Sequence, residues 1–234
     1  MSSIRRALVL APMAMELRPI VKRLGARPST ATGTKVFVGR QGTVEIIVSQ
    51  LGVGPTVAAR ATERLLDRFA VDHVVVSGIA GGIAPACTIG SVIVPDVVLD
   101  VTSGREFRPS PLGELVMGGK VGTVDELIVE PSRLARLADQ GVIALEMEST
   151  GVASVCEERG VPWSAVRVIS DRPDDGYTDG AVLGTLRPDG SADMRAALRL
   201  MATRPKRIPR LVRLGRDSSM AAGRAAKTTL EALG

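Results

Sequence analysis

The stretch VIALEMESTGVASVCEERGVPWSAVRVISD, residues 142–171, decides the fold class. An apolar run at Val142–Met147 predicts a strand. Ser149–Arg159, closed by Gly160, predicts a helix, and Ser164–Ile169 predicts a second strand. Strands that alternate with helices, and that are apolar along their whole length, are typical of a parallel sheet covered on both faces.

The same pattern extends outward from this unit. Further strands are predicted at Arg5–Ala11, Lys35–Arg40, Val44–Gln50, His73–Ser77, Ser91–Leu99 and Lys120–Val129, and helices at Pro131–Gln140 and after Pro55, where Ala58, Ala61, Leu65 and Phe69 share one stripe. The Gly-, Pro- and Ser-rich segment Ser103–Gly119 predicts a surface loop. We therefore expect one α/β domain with a central mixed, largely parallel sheet flanked by helices.

The C-terminal part of the chain differs in charge. Beyond Asp189 we expect helices over 192–202, around 208–215 and over 218–233. The net charge of +5 is concentrated in 204–227, which carries eight basic residues against Asp217 alone. We therefore divide the chain into a catalytic domain, 1–203, and a basic helical extension, 204–234, packed on or beside it. Residues 1–190 mix both signs, so a nucleic-acid partner is not expected.

Composition limits the kind of pocket, the redox compartment and the membrane segments that the chain can have. With three Phe, one Tyr and one Trp, a pocket here must be lined mainly by aliphatic side chains and methionine. Cys87 and Cys156 fit neither a disulfide framework nor a metal cluster, which favours a reducing, cytoplasmic location. The start of the chain is broken by Pro12, Glu16 and Arg18, so we interpret it as a buried strand rather than a signal peptide. No segment is long and apolar enough to be a transmembrane helix.

Acidic residues stand where two of the strands end. Glu146 and Glu148 are two apart, so they share a face if the chain there is extended, with Met147 opposite, and diverge if a helix begins at Glu148. Asp171 ends the later strand, the place where open α/β sheets bind ligands. The alternative is structural: Glu148 and Asp171 cap helices or pair with Arg167 and Arg172.

Two other signals are weaker. Gly52-Val-Gly54 lacks the third glycine of a dinucleotide-binding fingerprint. His73, the one histidine, precedes an apolar strand and is interpreted as structural. No cofactor and no metal are expected.

Four motifs together resemble a known family. They are Pro12-Met-Ala-Met-Glu16, Gly52-Val-Gly-Pro55, Val76-Ser-Gly-Ile-Ala-Gly-Gly-Ile-Ala-Pro85 with Ile89-Gly-Ser-Val-Ile-Val-Pro95, and Glu146-Met-Glu-Ser149 with Val-Pro-Trp163 and Val166-Arg-Val-Ile-Ser-Asp171. In this order they look like the family of methylthioadenosine/S-adenosylhomocysteine nucleosidases and purine nucleoside phosphorylases, over residues 5 to 175. The resemblance implies a nucleoside-phosphorylase-like fold and cleavage of the bond between a purine and ribose.

The resemblance also implies roles for individual residues. Glu16 corresponds to the acid/base near the attacking water, and Asp171 to the acid that protonates the departing purine, with Ser170 beside it. Glu148 corresponds to the clamp on the ribose hydroxyls and Met147 to a residue packing on the sugar. The remaining substrate-binding candidates are Glu146, Ile79, Leu127 and Ile128.

Physical chemistry supports these assignments. Cleavage creates an oxocarbenium-like sugar and a negatively charged base, so a proton donor and carboxylates that stabilise positive charge are both needed. Burial in an apolar pocket raises the pKa of an aspartic acid, which keeps it protonated closer to neutral pH.

The chain departs from the family pattern in two places. Where phosphorylases carry a phosphate-binding arginine it has Val75-Val76-Ser77, and Ile79 replaces an expected hydroxyl, which favours water over phosphate as co-substrate. Leu127 or Ile128 replaces the usual aromatic stacking residue. The stretch Gly122-Thr-Val-Asp125 and the Arg204-Pro-Lys-Arg-Ile-Pro209 segment most resemble hopanoid-associated phosphorylases, which implies adenosylhopane as substrate.

Several functions therefore stay open. The first is release of adenine from a nucleoside with a bulky apolar 5′ group. The others are a methylthioadenosine/S-adenosylhomocysteine nucleosidase, a phosphate-dependent phosphorylase, and a non-catalytic nucleoside-binding protein. We expect a homodimer. Arg204, Arg207 and Arg210 alternate with Ile208, Leu211 and Val212 on a predicted helix, which either docks on the domain or lies on an anionic membrane surface.

Overall fold

The computed structural model describes residues 4–30, 35–173 and 208–234. These residues form eleven strands and five helices. In chain order they are β1 (Arg6–Ala11), α1 (Ala14–Leu24), β2 (Arg27–Ser29), β3 (Val36–Gln41), β4 (Val44–Gln50), α2 (Pro55–Leu66), β5 (His73–Gly82), β6 (Val92–Ile93), β7 (Val97–Asp100), β8 (Glu106–Phe107), β9 (Lys120–Thr123), α3 (Pro131–Asp139), β10 (Val142–Glu146), α4 (Ser149–Glu158), β11 (Trp163–Asp171) and α5 (Ile208–Leu233).

One mixed sheet organises the molecule, as predicted. Its order is β2-β3-β4-β1-β5-β10-β9-β7-β8, and β11 pairs with β5 and β6. The strands β4, β1, β5 and β11 run parallel, with Val9 opposite Val75 and Ser164 also opposite Val75. The far half of β5 turns to an antiparallel pairing with β10, through Gly81 and Leu145. The long strand β5 is therefore the junction of the two halves of the sheet.

The sheet lies between two helical layers. Along β1, Leu8 and Leu10 pack in one cluster with α2 and α4. The alternate residues Ala7, Val9 and Ala11 pack in a second cluster with α1 and α5. Because side chains of a strand alternate between faces, a continuously apolar strand such as β1 needs this double cover.

Several element boundaries differ from the prediction. The strand predicted over Lys120–Val129 ends at Thr123, and Ser91–Leu99 is two short strands rather than one. The predicted loop Ser103–Gly119 contains β8, and β11 extends to Asp171. The helices predicted around 208–215 and over 218–233 are one continuous helix, α5. The predicted helix over 192–202 and the domain boundary at 203 lie outside the described residues.

Two further findings concern the predicted minor features. His73 is buried, its Nε2 lies 2.7 Å from the Ser164 hydroxyl, and burial lowers its pKa to about 4, in keeping with a structural role. Cys87 and Cys156 are buried and unpaired. None of the helices in the described ranges is long and apolar enough to cross a bilayer.

Candidate active site

A cavity of about 300 Å³ opens at the carboxyl end of β5 and β11, where the sheet changes from parallel to antiparallel pairing. Its walls are predominantly apolar, and they carry four carboxyl groups. It is lined by Pro12, Met13, Glu16, Val53, Ile79, Ala80, Gly81, Ile83, Val124, Leu127, Ile128, Leu134, Leu145, Glu146, Met147, Glu148, Ser170, Asp171 and Pro173. All nine residues predicted for the site are among them.

Glu16 reaches the cavity from the first turn of α1. Its Oε2 accepts a hydrogen bond from the Met13 backbone N–H at 2.7 Å, and its Oε1 accepts one from the Ile79 N–H at 2.8 Å. The first of these bonds caps α1 and the second ties the helix to β5. Burial raises the pKa of Glu16 to about 7, although the two N–H donors and the Arg167 charge act in the opposite direction.

Gly78 makes room for this carboxylate. A Cβ at this position would lie 2.4 Å from Glu16 Oε1 and 2.8 Å from Arg167 Nη1. No side chain larger than hydrogen can be placed there without moving one of these groups. The glycine in the Ser77-Gly78-Ile79 stretch is therefore needed for close approach rather than for a turn.

Arg167 lies at the centre of the acidic groups. It is fully buried in the middle of β11, and its Nη2 donates to Glu146 Oε2, to the Ser149 hydroxyl at 3.0 Å and to Glu148 Oε2 at 3.5 Å. A buried guanidinium is stable only with such acceptors around it. Arg167 therefore draws the two glutamates of the Glu-Met-Glu motif together.

Glu146 is held entirely by protein groups in this structure. Its Oε2 accepts bonds from the N–H groups of Glu148 at 3.0 Å and Ser149 at 2.9 Å and from the Ser149 hydroxyl at 2.9 Å. Its Oε1 accepts from the Thr123 hydroxyl. Glu146 thus satisfies the free N–H groups at the start of α4, which is the capping role that the structural alternative gave to Glu148.

Glu148 has a different environment, although it is the N-cap residue of α4 by position. Its side chain makes no cap bond; Oε1 accepts from the Gly54 N–H at 3.3 Å and Oε2 from Arg167. Burial raises its pKa, and the charge of Arg167 offsets part of this rise. Gly54 adopts a φ of 98°, a conformation that favours glycine, so the turn before α2 can present its N–H to the carboxylate.

The structure combines features of the two arrangements predicted for Glu146 and Glu148. The strand β10 ends at Glu146 and α4 begins at Ser149, yet both carboxylates turn toward Arg167. Met147, which was placed opposite the glutamates only for an extended chain, lines the same cavity as both of them.

Asp171 and Ser170 form the far side of the cavity. The Ser170 hydroxyl donates to Asp171 Oδ1 at 2.6 Å. A register shift in β11 between Ile169 and Asp171 places Asp171 opposite Gly81. A Cβ built on Gly81 would lie 3.4 Å from Asp171 Oδ2, so this carboxylate packs closely against the glycine. Gly78 and Gly81 are three residues apart on β5, so the two acidic ends of the cavity are separated by roughly 10 Å along the strand.

Aliphatic side chains form the rest of the wall. Ile128 is buried, whereas Leu127 is 48% exposed at the margin. Val124, Leu127 and Ile128 were predicted to be part of a strand, but they belong to the segment after β9, which turns toward the cavity.

Comparison with known proteins gives the family. Residues 6–116 and 113–208 match the phosphorylase superfamily. This chain belongs to the phosphorylase superfamily. A 5′-methylthioadenosine/S-adenosylhomocysteine nucleosidase of Shewanella sp. (strain MR-7) is 28% identical over 65% of this chain and 77% of its own length. The corresponding Bacillus thuringiensis (strain Al Hakam) nucleosidase is 28% identical over 71% of this chain and 85% of its own.

Solved structures with the same fold span nearly the whole chain. The 5′-methylthioadenosine/S-adenosylhomocysteine nucleosidase from Colwellia psychrerythraea 34H, in complex with adenine, has a TM-score of 0.73 at 20% identity, covering 99% of this chain and 96% of that one. The futalosine hydrolase of Helicobacter pylori has a TM-score of 0.70 at 19% identity, with coverage of 98% and 97%. As a member of the superfamily with these relatives, the protein is an enzyme that cleaves an N-glycosidic bond.

Proposed function

We propose that this enzyme hydrolyses the N-glycosidic bond of a 5′-substituted adenine nucleoside and releases adenine. The observation that carries the proposal is the arrangement of one apolar cavity between two acidic ends: Glu16 and Glu148 at one, Asp171 with Ser170 at the other. Cleaving a nucleoside needs a proton donor for the base and negative charge near the sugar. The two ends supply them about a nucleoside's length apart.

At the base end, Asp171 is assigned as the acid that protonates the imidazole-ring nitrogen of the leaving purine. The hydrogen bond from Ser170 fixes the orientation of its carboxyl group. Leu127 and Ile128 are assigned to the faces of the ring, which they contact through aliphatic groups rather than by aromatic stacking. This arrangement protonates the leaving group as the glycosidic bond breaks.

At the sugar end, Glu148 is assigned as acceptor of the ribose 2′- and 3′-hydroxyl groups, with Met147 packed on the ring. The Gly54 N–H and Arg167 hold the Glu148 carboxylate in place. Glu16 is assigned as the base that removes a proton from the attacking water. A pKa of about 7 suits that role, because a general base works best when its pKa is close to the working pH.

The charge of the cavity favours water over phosphate as the nucleophile. No lysine, arginine or histidine lines the cavity among the residues that the structure describes. Arg167 is engaged by Glu146 and Glu148 behind the wall, and Val75 and Val76 are buried strand residues. A phosphate dianion would meet carboxylates without a compensating cation, which is unfavourable.

We further propose that the 5′ substituent is large and apolar. Met13 itself supplies an N–H that binds Glu16, and Val53 precedes Gly54, whose N–H binds Glu148. Both Met13 and Val53 line the cavity. Adenosylhopane is the substrate implied by the resemblance to hopanoid-associated phosphorylases. Methylthioadenosine or S-adenosylhomocysteine is the second candidate, favoured by the similarity to the Shewanella and Bacillus nucleosidases.

The proposal is tested by incubating the protein with adenosine, methylthioadenosine, S-adenosylhomocysteine, futalosine and adenosines carrying long 5′-alkyl chains, each with and without phosphate. Adenine and a free sugar should form at a rate independent of phosphate, with the highest kcat/KM for long alkyl chains. A sugar 1-phosphate product would make the enzyme a phosphorylase. A preference for methylthioadenosine would select the second candidate, and binding of all these nucleosides without adenine release would refute the proposed substrate class. The Asp171→Asn variant is the control for contaminating activity.

A further inference from the structure

The helix α5 is the longest helix that the structure describes, and its two parts pack differently on the core. Its 26 residues span about 39 Å. The part after Asp217 buries one stripe against α1, β5 and β11, formed by Ser218, Ala221, Ala222, Ala225, Ala226, Thr229, Leu230 and Leu233. In contrast, no residue from Val212 to Asp217 is buried. Residues 212–217 of α5 therefore pack less closely on the core than the part after Asp217.

Three contacts fix the direction of α5 relative to the sheet. The Thr229 hydroxyl donates to Ser77 Oγ at 2.8 Å, in the middle of β5. Met220 lies beside Gly90, within 3.4 Å of a Cβ placed there, and the Gly90 N–H donates to Ile169 O near the end of β11. Thus α5 runs antiparallel to β11, and Val212, about 12 Å beyond Met220 along the axis, extends past the sheet edge where the cavity lies.

The exposed face of α5 combines positive charge with apolar side chains. Val212, Arg216, Met220 and Arg224 follow at intervals of four, so they share one face, and Arg213 flanks it. Val212 is 64% exposed and Met220 is 43% exposed. Within the described ranges, Arg213, Arg216 and Arg224 form no ion pair; the ion pair of α5 there is Lys227 with Glu231.

We propose that this basic face, formed by Val212, Arg213, Arg216, Met220 and Arg224, binds the surface of an anionic lipid bilayer. The arginines would lie at the headgroups, while Val212 and Met220 insert shallowly between them. Exposed arginines interleaved with the exposed side chains of Val212 and Met220 match that interface. They match nucleic acid less well, because the aromatic side chains within the described part of the chain, Phe37, Phe69, Phe107 and Trp163, are not exposed and offer no stacking platform for bases.

The consequence is orientation of the enzyme. Because α5 projects past the edge that carries Asp171, a bilayer bound to its first turns would lie near the mouth of the cavity. A nucleoside with an apolar 5′ chain anchored in that bilayer could then enter without passing through bulk water. This last consequence rests on the proposed function, whereas bilayer binding itself does not.

The test is cosedimentation of the full chain with phosphatidylcholine vesicles, with and without phosphatidylserine, at low and high salt. Binding should require phosphatidylserine and fall at high salt. The Arg213→Gln/Arg216→Gln variant should bind about 30-fold more weakly, on the basis of about 1 kcal/mol for each basic residue near the surface. The matched control, Arg64→Gln/Arg136→Gln, removes two exposed arginines from α2 and α3 and should bind like the wild type.

Each outcome decides the proposal. It fails if the wild type stays in the supernatant at low salt, or if the two double variants lose affinity equally, which would indicate bulk charge. Tighter binding to single-stranded or duplex DNA than to anionic vesicles would also overturn it in favour of a nucleic-acid surface. Adenine release from a water-soluble nucleoside should be the same in all three proteins, so loss of vesicle binding and failure of the proposed function are separately visible.

Discussion

Replacing Gly78 with alanine should destabilise the protein by about 3 kcal/mol and lower kcat/KM by about 100-fold. The added methyl group would lie 2.4 Å from Glu16 Oε1 and 2.8 Å from Arg167 Nη1. Neither group can move freely, because Glu16 is held by two backbone N–H groups and Arg167 by Glu146. Overpacking of a core costs about 1–3 kcal/mol, and a disturbed hydrogen bond to a charged group adds about 1.5–3 kcal/mol. A displacement of about 1 Å at a reacting group costs on the order of 100-fold in rate.

Urea unfolding at a fixed protein concentration measures the stability, and adenine release measures the activity. Gly118→Ala is the matched control, since a Cβ there meets nothing within 4 Å, and it should stay within about 1 kcal/mol of the wild type. In a Glu16→Ala background the clash with Glu16 disappears, so the cost of Gly78→Ala should fall by at least about 1 kcal/mol. An unchanged cost in that background, or a Gly78→Ala protein as stable and active as Gly118→Ala, would refute the close-approach explanation.

Three further predictions concern the acidic groups. Burial raises the pKa of Glu16 from 4.5 to about 7. Protonation of Glu16 should therefore add about 3 kcal/mol to the free energy of unfolding below pH 4.5, and this contribution should be lost as the pH rises through 7. Glu16→Gln should therefore flatten the dependence of urea unfolding on pH, unlike Glu63→Gln on the exposed face of α2; equal slopes would contradict this. Asp171→Asn should unfold like the wild type yet release adenine at least about 100-fold more slowly, and near-normal turnover would remove Asp171 from the acid role. Glu148→Gln should impair ribonucleosides far more than 2′-deoxynucleosides, a selectivity that a purely structural Glu148 would not show.

The parts of the fold that were predicted well are those whose sequence pattern and packing agree. β4 has the predicted bounds, and α4 lies within one residue of them. The helix α1 was not predicted, because Pro19 lies inside it and no Ser, Thr, Asp or Asn precedes it. Its cap comes instead from the side chain of Glu16, one of the candidate site residues, and such a bond back to the Met13 N–H is visible only in three dimensions.

Two further errors arose because the local sequence does not show how a segment packs in the fold. The apolar residues Val124, Leu127 and Ile128 suggested a longer β9, but they line the cavity, and hydrophobicity alone does not distinguish a core from a binding site. Gly215 suggested a break between two C-terminal helices. A helical glycine costs only about 1 kcal/mol, and the buried alanine and leucine stripe further along α5 outweighs that cost.

Within the site, the acidic residues were predicted and the groups that hold them were not. Glu16, Glu146, Glu148 and Asp171 stand out as charges next to apolar strands. Arg167 gave a signal of the same kind, a charged residue inside an apolar strand, but was weighed only as an ion-pair partner. The Gly54 N–H, 94 residues from the Glu148 that it contacts, gave no signal in the sequence.

The charge balance around Arg167 explains why such a cluster suits the proposed hydrolysis. Three carboxyl groups, none more than 5% exposed, share one fully buried guanidinium, so full ionisation would leave an excess of negative charge in a low-dielectric interior. Every group in contact with Glu146 is a hydrogen-bond donor. Burial raises the pKa values of Glu16 and Glu148, and both line the cavity, so these two members of the cluster are suited to carry a proton. Positive charge developing on a bound sugar would favour release of that proton. The same buried arginine that organises the cluster thus leaves Glu16 and Glu148 facing the cavity proposed to bind the substrate.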